Sequence, residues 1–188
     1  TGRVTGATFR EQEDSAGYLE VLAATLRRHG VPGAIYHDRA SIFEPALAQP
    51  LTLEEQLIDT RVPTQLGRTF AELGIGSISA HSPQAKGRVE RLWGTLQDRL
   101  VAELRLAGIE DRESANAYLP RYLARHDRRF AVPAADPEPS CRRLPKATRI
   151  ERVCCFMYRR SIARDGSRHD WLGERGPRLT LVGLIDDA

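Results

Sequence analysis

The apolar positions of this chain switch between a period of two and a period of three to four, and the switches divide it into elements. Arg3 to Phe9 is rich in β-branched residues and reads as a strand. Asp14 and Ser15 then stand where a helix cap is needed, and Leu19, Leu22 and Leu26 recur at helical spacing up to Gly30. The spacing predicts a helix that Gly30 ends. Ala34 to His37 reads as a short buried strand running into Asp38. Glu44 to Gly67, rich in Pro, Gln and Thr, is expected as an insertion or flap, followed by a helical turn over Phe70 to Leu73 and a strand over Ile75 to Ala80.

Ser82-Pro83 opens the clearest helix. Ser82 is the expected cap, and Pro83 sits at the first helical position, where a missing N–H costs nothing. Val89, Leu92, Trp93, Leu96, Leu100 and Leu104 make one stripe as far as Gly108. A further helix is expected over residues 112–129, with Ala115, Leu119, Tyr122 and Leu123 inward. Pro133, Pro137, Pro139 and Pro145 mark a linker, and Arg152 to Tyr158 is expected as a strand. Asp165 to Leu172 and Leu179 to Ile185 read as a hairpin turning through Gly173 to Gly176. Strands alternating with helices indicate an α/β fold.

Composition narrows the classes. With 188 residues, 41% hydrophobic and 28% charged, the chain is globular and long enough for a core without metals or disulfides. No apolar run approaches the roughly 18 residues of a membrane helix. Three Cys, two of them adjacent at Cys154 and Cys155, make neither a disulfide framework nor a zinc pattern, and a reducing, cytoplasmic setting is expected. The net charge of +3 conceals an asymmetry: residues 1–80 carry seven Arg against ten acids, whereas Cys141 to Arg164 holds eight basic residues and one acid, Glu151. Such a block binds polyanions or forms a solvated strand or linker, and charge alone does not choose.

Three acids stand where an α/β sheet builds a site. Asp38 ends a buried strand, Glu90 lies near the start of the long helix, and Asp165 opens the terminal hairpin. Convergent carboxylates can hold a pair of Mg²⁺ ions, which prefer oxygen ligands and serve phosphoryl transfer when about 3.5–4 Å apart. On chemistry alone each acid reads equally as a cap or a surface charge.

The stretch Ile78-Ser79-Ala80-His81-Ser82-Pro83-Gln84-Ala85-Lys86-Gly87-Arg88-Val89-Glu90-Arg91-Leu92-Trp93 resembles the last motif of the integrase-type DDE transposases, in which a strand leads into Pro-Gln, then Gly, then Glu on a helix. Tyr36-His37-Asp38-Arg39-Ala40-Ser41-Ile42-Phe43 resembles the second motif, and Asp165-Gly166-Ser167 the first. In detail the chain resembles the ISNCY-type insertion-sequence transposases along nearly its whole length. The resemblance implies a mixed five-stranded RNase H-like sheet flanked by helices, with a short basic β-rich appendage. It implies Asp165, Asp38 and Glu90 as catalytic residues and ligands of a two-metal Mg²⁺ or Mn²⁺ site. The implied partners are DNA, both transposon ends and target, and a possible second copy of the chain, with no membrane, in a bacterial cytoplasm at the nucleoid.

The motif order is rotated relative to that family: Asp165 comes last. Joined head to tail, Leu184 to Ala188 and Thr1 to Gly6 make the strand-turn-strand expected after the first motif, as in a circular permutant cut at an exposed turn. The expected division is a catalytic core over 1–130 and 165–188, with 131–164 as Pro-containing linker and basic strand. The family's end-recognizing helix-turn-helix has no counterpart here, so end-specific transposition by this chain alone is not expected.

Ala163-Arg164 replace the apolar residues that precede the first Asp in the family, which makes Asp165 the least secure ligand, with Asp170, Asp186 and Asp187 as substitutes. Lys86, Arg88 and Arg91 around Glu90, and Arg142, Arg143, Lys146 and Arg149 in the basic block, are the expected phosphate contacts. The competing readings are a non-catalytic DNA-binding remnant and a generic RNase H-like nuclease. Trp93 and Leu96 read as core, Tyr36 and Trp171 as packing, His37 and His81 as hydrogen-bonded structural residues, and the adjacent Cys as inert.

Overall fold

In a computed structural model the described residues are 1–37, 41–43, 45, 56, 62–79, 83–136, 138–158 and 180–186, the side chains of 83–86, 88 and 180–186 excepted. Strand β1 (Arg3–Arg10) pairs antiparallel with β6 (Thr180–Asp186), Arg3 opposite Asp186 and Arg10 opposite Thr180. Helix α1 (Ser15–His29) follows, capped by Asp14, whose carboxylate accepts from the Gly17 N–H at 2.7 Å and holds Arg10 at 2.9 Å. A cap of this kind contributes about 1 kcal/mol. The helix lies close on β1 because Gly6 has no side chain: a Cβ there would stand 3.1 Å from Val21 Cγ1 and from Thr25 Oγ1.

Gly30 ends α1 at φ +92° and turns the chain into β2 (Val31–Pro32), which pairs antiparallel with β5 (Cys141–Arg142). Next come β3 (Ala34–His37) and, after helix α2 (Gln65–Leu73), the parallel strand β4 (Gly76–Ser79). Thr64 caps α2 by accepting from the Gly67 N–H at 3.0 Å. A helix between parallel strands is the crossover such a pair requires. Helix α3 (Pro83–Leu106) carries the long apolar stripe, and Asp111 caps α4 (Arg112–Phe130) through the Ser114 N–H at 2.8 Å. The last helix among the described residues, α5 (Ile150–Val153), is short.

Two apolar clusters organize these elements. Leu19, Leu22 and Leu26 of α1 meet Phe70 of α2, with Ile150 and Val153 of α5 closing the same cluster. Val4 of β1, Leu96 and Leu100 of α3, and Leu119 and Leu123 of α4 form the other. Helix α4 also closes the free edge of β1. Asn116 accepts from the Phe9 N–H at 2.7 Å and donates to its carbonyl at 3.1 Å, while Asp127 accepts from the Val4 N–H at 3.2 Å. Side chains thus take the place of a neighbour strand, none of which flanks this edge among the described residues.

The architecture is mixed α/β. The described strands form three two-stranded sheets, β1-β6, β2-β5 and β3-β4. No helix among the described residues is long and apolar enough to cross a membrane.

Three local expectations are corrected. Residues 152–158 are not a strand: Val153 ends α5, and an irregular stretch follows. The reason is tertiary, since Ile150 and Val153, three apart, both reach the first cluster only as a helical turn. Cys154 and Cys155 therefore do not alternate on a strand. Helix α2 begins at Gln65, inside the expected flap, because Leu66, Thr69, Phe70 and Leu73 bury one face. Tyr36 does not pack: it is 61% exposed, because Ile35 and His37 take the inward positions of β3.

Candidate metal and DNA-binding site

The parallel pairing of β3 and β4 sets the site's frame. Their registers match residue for residue, from Ala34 opposite Gly76 to His37 opposite Ser79. Both strands therefore end at the same edge, the carboxyl edge, where open α/β sheets collect ligands. Asp38 follows His37 directly in the sequence, and α3, which carries Glu90, starts four residues after Ser79.

The end of β3 is firmly held. His37 is buried, its Nε2 lies 2.7 Å from Ser77 Oγ, and its ring stacks on Phe43 at 4.4 Å and 14°. Phe43 in turn meets Tyr18 edge-on at 4.9 Å, and its carbonyl accepts from the Thr64 hydroxyl at 2.9 Å. Residues 37 and 43, which bracket the second motif, are thus clasped to each other. His37 is the hydrogen-bonded structural residue its position suggested.

Glu90 is exposed on α3 and has no hydrogen bond or ion pair among the described residues. Arg91 is exposed beside it, with Nε donating to the Gly87 carbonyl of its own helix at 3.0 Å. Asp38, Asp165, Asp170, Asp187, His81 and Trp171 lie outside the described residues, as do the side chains of Asp186, Lys86 and Arg88. Among the described residues no three His, Cys, Asp or Glu side chains gather as a metal site.

The basic segment is built against α2. Arg142 donates to the Leu73 carbonyl, and to that of Gly74 at 3.4 Å, so its guanidinium is engaged in closing the end of α2. Arg143, Lys146 and Arg149 are exposed cations. Arg27 pairs with Glu151 at 2.8 Å, which holds that carboxyl below its usual range and offsets the block's one acid. Burial pushes the Cys154 thiol up to about 11, so it stays protonated and unreactive near neutrality. Trp93 is partly buried against the second cluster and Leu96 is fully buried within it, both as core residues.

A polar cleft of about 420 Å³, unanticipated from sequence, opens between β1 and the first turns of α1 and α4. Its charges are matched internally: Arg10 pairs with Asp14 and with Glu20, the latter at 3.5 Å, and Arg112 pairs with Glu11 at 2.8 Å.

Known proteins supply the remaining observation. Over 163 residues, 86% of this chain and 34% of the relative, the sequence is 38% identical to "Putative transposase y4bF" of Sinorhizobium fredii. Over 159 residues, 81% of this chain and 33% of the relative, it is 35% identical to "Transposase for insertion sequence IS1202" of Streptococcus pneumoniae. The chain is a relative of insertion-sequence transposases. It spans about a third of the length of these transposases. No family model matches the chain, and no solved structure matches it.

Proposed function

We propose that this transposase relative carries the catalytic core of a DDE-type transposase, which cleaves DNA strands and joins their 3′ hydroxyls to target phosphodiesters. The observation that carries the reading is the parallel, end-matched pairing of β3 and β4. It brings to one sheet edge the strand that leads into Asp38 and the strand that leads into the helix of Glu90. The relatives' transposase names support the reaction class.

Asp38, Glu90 and Asp165 are the proposed ligands of two Mg²⁺ or Mn²⁺ ions. The donor set fits these ions: all three are carboxylates, the hard oxygen donors they prefer, and Glu90 is exposed, with no hydrogen bond or ion pair among the described residues. The ions, when bound, would activate the attacking hydroxyl and stabilize the leaving oxygen. The chain's own part is to hold those acids on fixed supports and to bind the DNA backbone. The His37–Phe43 clasp anchors both sides of the second motif. Lys86, Arg88, Arg91, Arg143, Lys146 and Arg149 would neutralize phosphates without reading sequence.

The rotated motif order belongs to the same proposal. The antiparallel pairing of β6 with β1 supports it, because residues 180–186 lie alongside 3–10 as the strand after the first motif would. In this reading β1-β6 and β3-β4 are the outer pairs of a five-stranded RNase H-like sheet, completed by the strand that carries Asp165.

A plasmid-nicking assay with Mg²⁺ or Mn²⁺ tests the function. Wild type should nick supercoiled DNA only with the divalent ion, and Asp38→Asn should lose at least about a hundredfold of that activity. Equal nicking by the two proteins would sink the reading.

A further inference from the structure

We infer that Phe156 and Tyr158 form a stacking platform for the bases of an unpaired DNA strand. The two rings lie 6.1 Å apart and within 9° of parallel. They are 43% and 68% exposed, with Met157 between them also exposed. Three consecutive large apolar side chains facing water are uncommon on a folded surface and mark a contact site.

This segment is not a loose end that happens to be apolar. Its backbone is pinned to α2 from two directions. The Gln65 side chain donates to the Met157 carbonyl and accepts from the Met157 N–H, both at 2.9 Å. Arg68 donates to the Val153 carbonyl at 3.0 Å and to the Cys155 carbonyl at 2.6 Å. The main chain is thus committed inward, while the rings at 156 and 158 remain outside as a fixed, nearly parallel pair. Ordering them beforehand lowers the entropy cost of binding.

Charge selects the occupant. Arg143, Lys146, Arg149 and Arg152 are exposed in the residues leading to the rings, and the one acid among them, Glu151, is held by Arg27. An apolar protein surface would have to desolvate these cations. A duplex would meet them with phosphates but keep its base faces stacked. An unpaired strand presents phosphates and open base faces together, and each face can stack on an aromatic ring. The inference rests on the transposase reading only for the choice of DNA as the polyanion.

Anisotropy titrations test it with three labelled DNAs of equal length: a single strand, the same strand made abasic, and the duplex. Wild type should bind the normal single strand about tenfold more tightly than the abasic one. Phe156→Ala and Tyr158→Ala should each bring single-strand affinity down toward the abasic level, while leaving abasic affinity and its salt dependence unchanged. Phe156→Tyr should retain the preference, and Lys146→Gln should weaken all three DNAs alike. Circular dichroism and melting of each variant separate loss of fold from loss of stacking.

Equal binding of normal and abasic strands by wild type overturns the platform. So does a uniform loss across all three DNAs in Phe156→Ala, or a self-association that Phe156→Ala abolishes while DNA affinities stay fixed. Asp38→Asn should keep the single-strand preference, so a failed nicking assay leaves this inference standing. Absence of binding to any DNA defeats both.

Discussion

Replacing Glu90 with Gln is expected to remove divalent-ion-dependent nicking, by at least about a hundredfold, while leaving the melting temperature within about 2 °C of wild type. The structural half of this follows from the position of the side chain. Glu90 is exposed on α3, and it makes no hydrogen bond or ion pair among the described residues. Gln keeps its shape and helix propensity, so the fold loses nothing. The chemical half follows from the charge: an amide oxygen is a poor replacement for a carboxylate toward a hard divalent ion. A surface acid of no function would share the unchanged melting but keep its nicking, so unchanged nicking in Glu90→Gln would remove this residue from the site. The paired measurement of thermal melting and plasmid nicking separates the two cases.

The largest expected effect on stability is at Gly30. Its φ of +92° lies in a region that residues with a Cβ rarely adopt. A Cβ built there would stand 2.4 Å from the Arg142 carbonyl oxygen, a backbone atom that cannot rotate away. Gly30→Ala therefore combines backbone strain with a steric clash, together about 2–4 kcal/mol. For a chain of this size that is a fall in melting temperature of roughly 4–16 °C. The damage should spread in a defined way. The clash falls on the β2–β5 pairing, which ties residues 141–142 to the end of α1. Hydrogen exchange should accordingly quicken at Gly33, whose N–H donates to the Ser140 carbonyl at 2.9 Å, while the Asp111 cap of α4 keeps its protection. Melting of Gly30→Ala at the wild-type temperature would show that β5 yields more easily than its contacts imply.

The sequence read best where local chemistry and tertiary need coincide. Helix α1 announces itself through Asp14, a side-chain cap that acts within one turn, and both α1 and α4 through stripes that do pack inward, while the Asp111 cap of α4 emerges only in the structure. The strand at 34–37 was legible because its alternation is real, although the alternation itself should have placed Tyr36 outside. Helix α2 was half hidden. Composition argued for a flap, yet Thr64 three residues before Gly67, followed by Leu66, Phe70 and Leu73, carried the helical signal. Helix α5 was not legible, because four residues have no period of their own and only the cluster they fill decides their shape. At the candidate site, the resemblance to transposase motifs picked out Asp38 and Glu90, and the two parallel strands that precede them in the sequence end at one edge. The aromatic pair at 156 and 158 carried a faint signal in its alternation, hidden by reading the segment as a packed strand.

Asp38, Glu90 and Asp165 are proposed to form one divalent-ion site despite the rotated order of their motifs. A crystal grown with Mn²⁺ and recorded at the manganese absorption edge tests it most directly. Anomalous density is expected bounded by these three carboxylates, at the roughly 2.0–2.2 Å typical of hard oxygen ligands. Manganese bound elsewhere, or Asp165 lying remote from Asp38, would contradict it.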